Sequence, residues 1–227
     1  MGGKKNVSTT VVKSETVSTV QDALQAAKDA AYVKFVEKVD ISLQTGIDAR
    51  KMMVRGMAAL PNGTGKAVRI AVFATGDHVE KARKAGAHRV GCEDLFEELQ
   101  GDDWHYDVII ALPETMPMVG KLGKKLGPKG LMPNPKLGTV TVDIGKAVQT
   151  ALAGQVQFKL EKSGIIHCSI GTTKFTNEQL EENLVSLLAE VKRHKPAAAK
   201  GQYLKKLSIN TTMGRGSWQV DLSKLTN

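Results

Sequence analysis

The sequence predicts an α+β domain formed by both ends of the chain, with an α/β domain built on a parallel sheet inserted between them. Towards both termini, apolar and polar residues alternate with a period of two, which is typical of half-buried antiparallel strands. The middle third instead alternates nearly continuous apolar runs with helical segments, which is typical of parallel strands covered on both faces. Glycines mark the two crossings, so the predicted domains are 1–64 with 155–227, and 65–154.

The N-terminal region is predicted to contain a loose arm, a helix and two strands. Residues 1–17 show no stable period, and Ser18 is expected to cap a helix with Gln21 as its capping-box partner. The next segment has a period of two, which predicts a half-buried strand. Its apolar face consists of Phe35, Val39, Ile41 and Leu43. Glu37 is the exception on that face, and a second strand is predicted from Val54 to Leu60.

The middle region is predicted to form a small Rossmann-like unit. Its predicted strands are 68–74, 88–90 and 107–111, and its predicted helices are 78–85, 94–99 and 144–153. Strands that alternate with helices in this way pair in parallel, because each helix carries the chain back across the sheet.

The last third is predicted to return to antiparallel pairing. Segments 156–161 and 165–170 flank Lys162-Ser163-Gly164, which is a hairpin signal. Thr176 is expected to cap a helix that runs through Lys192 and has acidic residues at its start and basic residues at its end. A final strand is predicted over 203–212.

Composition narrows the classes of function. The 227 residues carry 32 Lys+Arg against 23 Asp+Glu, a formal net charge of +9, which predicts a polyanionic partner. A hydrophobic share of 41% is enough for a folded core. No apolar run is long enough to span a membrane, and residues 1–5 are not followed by the apolar stretch of a secretory signal. Cys92 and Cys168 are too few for a disulfide framework, which favours a reducing compartment.

The sequence motifs of common active sites are missing. Gly63-Thr64-Gly65-Lys66 lacks the leading glycine of a phosphate-binding loop and is followed by Ala67. No dinucleotide-binding glycine motif follows a strand, and there is no nucleophile elbow. The histidines show no metal-ligand spacing; they are His78, His88, His105, His167 and His194. We therefore expect no enzymatic activity, no metal and no cofactor.

One segment departs from ordinary composition. Residues 120–139, here called the lysine segment, contain no acidic residue. Its five lysines are Lys121, Lys124, Lys125, Lys129 and Lys136. Repeated glycines and prolines prevent a long helix and predict an ordered, irregular loop that presents ammonium groups to phosphates. We expect this loop to contact RNA or tRNA; the alternative is a flexible solvated loop.

The lysine segment also begins a resemblance that covers almost the whole chain. Residues 122–136 read LGKKLGPKGLMPNPK and closely resemble the signature of the bacterial-type large-subunit ribosomal protein L1 family, the universal side-stalk proteins. Further matching blocks are Gly46-Ile47-Asp48, Val54-Arg55-Gly56, residues 60–66, Gly138-Thr139-Val140, His194-Lys195-Pro196 and Thr211-Thr212-Met213-Gly214.

The resemblance implies both a fold and a function. It implies two domains, the second inserted into the first, and binding to large-subunit (23S-type) rRNA to form the mobile side stalk of the ribosomal large subunit. It implies assistance in releasing deacylated tRNA from the exit site, and repression of translation through the leader of the protein's own operon mRNA. The implied setting is a bacterial ribosome in the cytoplasm, with an organelle ribosome as the less favoured alternative. The free protein is expected to be a monomer and to have no contact with membranes.

The resemblance assigns RNA-binding residues to the domain formed by the termini. They are Lys34, Phe35, Lys38, His167, Lys174, Thr211, Thr212, Met213, Gly214 and Arg215. An aromatic ring such as Phe35 can pack on a base, and a Thr hydroxyl can bond a 2′-hydroxyl. Without the family, Phe35 is more often a core residue, and His167 can instead bond within the sheet. At Lys38 and Arg215 the chain departs from the Thr and Pro that are common in the family.

Two other classes of function are compatible with parts of the sequence. The middle unit could serve a small enzyme acting on a phosphorylated ligand, but no cluster of nucleophile and base supports it. A nonspecific basic nucleic-acid-binding protein would bind any RNA with similar affinity and a steep dependence on salt.

Overall fold

A computed structural model describes residues 15–17, 19–47, 52, 54–101, 104–196, 199 and 201–220. The chain divides into two compact units. The terminal unit comprises Met1–Val54 and Phe158–Asn227, and the middle unit comprises Arg55–Gln157.

The secondary structure alternates strands and helices along the chain. The strands are β1 (Glu15–Val17), β2 (Lys38–Thr45), β3 (Arg55–Ala59), β4 (Ile70–Phe73), β5 (Arg89–Gly91), β6 (Val108–Ala111), β7 (Gln155–Lys159), β8 (Ile165–Thr172), β9 (Leu204–Thr211) and β10 (Trp218–Val220). The α-helices are α1 (Val20–Asp29), α2 (Asp77–Lys84), α3 (Glu93–Gln100), α4 (Met116–Lys121), α5 (Gly123–Leu126), α6 (Ile144–Leu152) and α7 (Asn177–Arg193). Short 3-10 helices cover Pro113–Thr115 and Pro135–Leu137.

The terminal unit is built on a five-stranded sheet in the order β1-β10-β9-β2-β8. Strand β2 pairs antiparallel with β8 on one side and with β9 on the other. Its predicted alternation is confirmed: Val39, Ile41 and Leu43 are buried, whereas Lys38 is exposed. A strand whose apolar residues all point to one face leaves the opposite face for polar side chains.

Helices α1 and α7 contact each other, and they also contact the sheet through β9 and β8 respectively. The predicted cap of α7 is confirmed, since Thr176 and Gln179 form a reciprocal capping box. The buried residues of α7 recur at helical spacing and are Leu180, Asn183, Leu184, Leu187, Leu188 and Val191. The amide of Asn183 donates to the carbonyl of Ile170 at 2.8 Å, which satisfies the one polar member of this set.

Three predictions for the terminal unit are wrong. The cap of α1 is Thr19 rather than Ser18: the Thr19 hydroxyl accepts from the backbone N–H of Asp22 at 3.2 Å. Strand β2 begins at Lys38, three residues after Phe35. The predicted loose arm contains β1, which pairs in parallel with β10; the rest of that arm, residues 1–14, lies outside the described residues.

The middle unit contains the predicted parallel sheet, in the order β5-β4-β6. Alternate residues of β4 enter two different cores: Ala71 and Phe73 pack with α3, whereas Ile70 and Val72 pack with α6. This confirms that the apolar runs are strands covered on both faces. A separate pair of strands, β3 and β7, forms a two-stranded sheet.

Candidate nucleic-acid interface

Three segments that are distant in sequence meet at one end of the five-stranded sheet. Because β2 is antiparallel to both neighbours, its first residues lie beside the last residues of β8 and β9. The register pairs Lys38 with Thr172 and Val39 with Thr211. We call residues 32–38, 172–175 and 211–215 the strand-end surface. It contains nine of the ten predicted RNA-binding residues: Lys34, Phe35, Lys38, Lys174, Thr211, Thr212, Met213, Gly214 and Arg215.

The turn that follows β9 is fixed to the start of β2 by hydrogen bonds to the backbone of Lys38. The Gly214 N–H donates to the Thr211 carbonyl at 3.2 Å and closes the turn. The Thr212 N–H donates to the Lys38 carbonyl at 3.1 Å, and the Lys38 N–H donates to the Thr212 hydroxyl at 3.2 Å. The exposed side chains of this turn are therefore carried on a backbone of defined position.

Glu37 joins all three segments of the strand-end surface. Its carboxylate Oε2 accepts from the Met213 N–H at 2.8 Å, and its backbone carbonyl accepts from the Thr173 N–H at 2.9 Å. The residue is only 1% exposed. The sequence marks Glu37 as the one charged residue on an apolar face, but its pattern does not predict this contact. A buried carboxylate needs hydrogen-bond donors, so the position of the charge was the available signal. Oε2 has such a donor, whereas Oε1 is buried with no partner among the described residues.

Close packing beneath the turn requires glycine at position 214. A Cβ atom added to Gly214 would lie 2.3 Å from the Thr211 hydroxyl, well inside contact distance. Thr211 is itself 1% exposed. Its side chain therefore supports the turn from below, whereas Thr212 and Met213 face solvent.

The strand-end surface exposes apolar side chains to solvent. Tyr32, Phe35, Val36 and Met213 are between 43% and 57% exposed and make up four of the seven large exposed hydrophobic residues found in the described chain. The interpretation of Phe35 as a core residue is wrong, because the strand that would bury it starts three residues later. Apolar groups concentrated in this way mark a binding surface.

Cations share the strand-end surface with these apolar groups. Lys34, Lys38, Lys174 and Arg215 are all exposed, and the guanidinium carbon of Arg215 lies 4.5 Å from the centre of the Tyr32 ring. The only acid in the three segments is the buried Glu37. Positive charge beside exposed aromatic rings suits single-stranded nucleic acid, which offers phosphates and unstacked bases together.

Asp40 lies just beyond this surface, on the exposed face of β2. Burial raises the pKa of its carboxyl group; a hydrogen bond from Ser169 and the charges of Lys38 and His167 oppose that change. When ionised, Asp40 is a partly buried negative charge close to Lys38, one of the cations of the strand-end surface.

His167 is the predicted site residue that the sheet keeps apart from the others. It pairs with Ser42 across β2 and β8, and its Nδ1 lies 3.0 Å from the Ser42 hydroxyl. Four residues separate Ser42 from Lys38, about 13 Å along a strand. His167 thus has the alternative role considered from sequence, a hydrogen bond within the sheet, while its ring stays exposed.

The lysine segment lies in the middle unit and has more regular structure than predicted. Helices α4 and α5 occupy its first part, because Leu122 and Leu126 are buried in the core beside Trp104. Lys121 and Lys124 are exposed on these helices. Lys125 donates to the carbonyl of Gln100, and Lys136 lies in the 3-10 helix Pro135–Leu137.

A basic cleft adjoins the lysine segment. It has a volume of about 700 Å³ and is lined in part by Lys66, Arg69, Trp104 and Lys129. The Lys129 ammonium lies 3.9 Å from the centre of the Trp104 ring. Asp107 also lines the cleft and offsets the charge of Lys66, since its carboxylate accepts from Lys66 at 2.5 Å and from the Arg69 N–H at 3.0 Å.

The described residues contain no other chemistry of a reactive site. Burial, with a smaller contribution from Asp40, raises the pKa of the Cys168 thiol to about 12, so that it stays protonated. Over the described ranges, no three His, Cys, Asp or Glu residues converge as metal ligands. None of the described helices combines the length and apolar character that a membrane span requires.

Comparison with known proteins gives a match along both units. Residues 24–215 match the family described as Ribosomal protein L1p/L10e. The chain is 51% identical over 207 residues to the large ribosomal subunit protein uL1 of Coxiella burnetii (strain Dugway 5J108-111), covering 90% of this chain and 89% of that protein. It is 50% identical over 216 residues to the large ribosomal subunit protein uL1 of Francisella tularensis subsp. holarctica (strain LVS), covering 94% and 93%. The family match includes all three segments of the strand-end surface.

Proposed function

The chain belongs to the Ribosomal protein L1p/L10e family, and from this we propose that it is a structural, non-enzymatic protein of the large ribosomal subunit. In this proposal it binds large-subunit (23S-type) rRNA through the strand-end surface. The observation that carries the proposal is the meeting of three basic and apolar segments at one end of the sheet. Both relatives are named as large ribosomal subunit proteins, which supports the ribosomal setting.

The geometry of the strand-end surface supports RNA as the ligand. Phe35 and Met213 offer exposed apolar area for a base or a ribose, and Thr212 offers a hydroxyl beside them. Lys34, Lys38 and Lys174 supply ammonium groups for phosphates. A surface that combines both kinds of contact can discriminate between RNA sequences, whereas lysines alone cannot.

Membership of the family suggests three more specific roles. The bound protein would form the mobile side stalk and assist the release of deacylated tRNA from the exit site. It would also repress translation by binding the leader of its own operon mRNA. Since the leader and the rRNA would occupy the same strand-end surface, they should compete for the free protein.

The lysine segment would provide a second, mainly electrostatic contact with RNA or tRNA. Its exposed ammonium groups and the adjoining basic cleft support this assignment. The proposed setting is the ribosome in a bacterial cytoplasm, and the proposed free state is a monomer that requires no cofactor.

The test is binding of the purified protein to a short stalk-rRNA fragment and to a shuffled RNA of equal length, over a series of salt concentrations. We expect preference for the stalk fragment to persist at physiological salt. Phe35→Ala and Thr212→Ala should each weaken stalk binding by about 1–3 kcal/mol. Val185→Ala, which shortens an exposed apolar side chain on α7, is the matched control.

Two outcomes would contradict the proposal. Equal, strongly salt-dependent binding to both RNAs would favour a nonspecific basic nucleic-acid-binding protein. Unchanged stalk affinity in both Phe35→Ala and Thr212→Ala would mean that RNA does not use the strand-end surface.

A further inference from the structure

Tyr32 and Arg215 form a contact that the predicted set of RNA-binding residues does not explain. Tyr32 lies ahead of β2 and Arg215 follows the turn after β9, yet the guanidinium carbon lies 4.5 Å from the ring centre. This is within the range of a cation–π interaction. Both residues are exposed, and Tyr32 is 54% exposed.

The Arg215 guanidinium has no competing partner within the described residues. No acidic side chain pairs with it there, and the one acid of the strand-end surface, Glu37, is buried and accepts from the Met213 N–H. A guanidinium that stacks on an aromatic ring contacts the ring with its face. Its N–H groups lie in the guanidinium plane and point outward from its edges. Those donors are therefore available to a ligand that arrives from solvent.

Arginine on a ring has an advantage over a free lysine for one kind of ligand. Its planar fork matches two oxygens of a phosphate, and the pair of hydrogen bonds is stronger and more directional than a single ammonium contact. Packing on Tyr32 also orders a long side chain before the ligand binds, which lowers the entropy lost on binding.

We propose that Tyr32 and Arg215 form an additional RNA subsite, in which Tyr32 positions the Arg215 guanidinium for two hydrogen bonds to one phosphate. Tyr32 is a positioning residue, and Arg215 makes the contact. This inference rests on the proposed function, because it assumes that RNA occupies the strand-end surface. It adds Tyr32 to the interface and gives Arg215 a defined ligand.

The experiment is a double-mutant cycle measured on the full chain with the stalk-rRNA fragment. Arg215→Ala should weaken binding about tenfold, in the range of a good specific contact. Tyr32→Ala should weaken it to a similar extent, and the double variant should be little worse than either single one, because both changes remove the same contact. Tyr32→Phe keeps the ring and should bind as the wild type does.

Arg193→Ala is the control for net charge. Arg193 is also in the terminal unit, and its side chain is 79% exposed. If Arg215 contacts a phosphate, Arg215→Ala should reduce the slope of log affinity against log salt by about 0.7–0.9, whereas Arg193→Ala should leave it unchanged. Thermal unfolding of each variant checks that the fold is retained.

Two results would overturn the inference while leaving the proposed function intact, provided that Phe35→Ala still weakens binding. The first is that neither Tyr32→Ala nor Arg215→Ala differs from Arg193→Ala. The second is a loss in Arg215→Ala without a loss in Tyr32→Ala, which would remove the positioning role. If Phe35→Ala and Thr212→Ala also have no effect, the proposed function itself fails.

Discussion

The strand-end surface of the terminal unit and the lysine segment of the middle unit carry similar positive charge on different supports. In the first, four cations share the surface with exposed apolar side chains, and the turn after β9 is fixed by hydrogen bonds to Glu37 and Lys38. In the second, lysines extend from short helices whose leucines are buried in a core. The lysine segment exposes no large hydrophobic side chain within the described residues.

Basic composition alone therefore does not identify a specific binding site. Ammonium groups on any scaffold attract polyanions, and the attraction falls with salt. Exposed rings and a turn of fixed position add contacts that depend on the shape and sequence of the ligand. We therefore expect substitutions at the strand-end surface to change specificity, and substitutions in the lysine segment to change mainly the salt dependence.

The largest effect is expected at Glu37. Glu37→Ala removes the acceptor for the Met213 N–H and leaves a cavity, so it should lower the free energy of unfolding of the terminal unit by about 2–3 kcal/mol. Fluorescence of Trp218 in a Trp104→Phe background reports on this unit alone. Glu37→Gln retains an oxygen acceptor and should keep both stability and RNA affinity. If Glu37→Gln is as damaging as Glu37→Ala, the charge itself, and not the hydrogen bond, is needed.

A smaller loss is expected from adding a methyl group to the turn. In Gly214→Ala the new Cβ would collide with the buried Thr211 hydroxyl, so the turn must shift and RNA affinity should fall by about 1–3 kcal/mol. Gly120→Ala is the matched change in the lysine segment, where the Cβ meets nothing within 4 Å. It should leave affinity unchanged. Equal effects at the two glycines would show that the fixed turn has no special importance.

A modest effect is expected from removing charge in the lysine segment. The double variant Lys121→Gln, Lys124→Gln should bind stalk rRNA about threefold more weakly at low salt and less so at high salt, with a lower salt slope. Lys81→Gln, Lys84→Gln removes the same charge from α2 of the same unit. If the two double variants bind stalk rRNA with the same affinity and the same salt slope, the effect comes from net charge alone.

The smallest effect is expected at Asp40. Burial raises its pKa in the folded state, so the folded protein binds this proton more tightly than the unfolded chain does. At a pH above the pKa of Asp40 in the folded state, the ionised carboxylate therefore lowers the free energy of unfolding. This destabilisation disappears as the pH falls through that pKa towards the ordinary pKa of Asp. Asp40→Asn should add about 0.5 kcal/mol at neutral pH, kept small by solvent screening at a half-exposed site.

Two measurements check the Asp40 prediction. Unfolding at neutral and acidic pH should show the gain of Asp40→Asn shrinking as the pH falls. RNA affinity should rise a few-fold, because a negative charge beside Lys38 is removed. If the stability gain of Asp40→Asn instead grows as the pH falls, the pKa of Asp40 is not raised in the folded protein.

The sequence predicted best those elements whose signals are local. The alternation in β2 and the cap of α7 at Thr176 depend on neighbouring residues, and both are found as expected. Strands β1 and β10 were not predicted, because three residues are too few to show a period and neither strand lies in a strand–helix alternation, as the equally short β5 does. Ser18 and Thr19 are adjacent hydroxyl residues with equal capping ability, so sequence alone could not choose between them.

The family, the positive charge and the burial of both faces of the middle sheet can be read from the sequence, because they depend on residue type and short-range spacing. The contact of Glu37 with Met213, 176 residues away, arises from the tertiary structure. The tertiary structure also exposes Phe35 and brings Arg215 over Tyr32. The physical reason is that β2 pairs with two strands from the other end of the chain. The register between strands that are distant in sequence determines which loop residues become neighbours. A pattern of nearby residues does not determine that register.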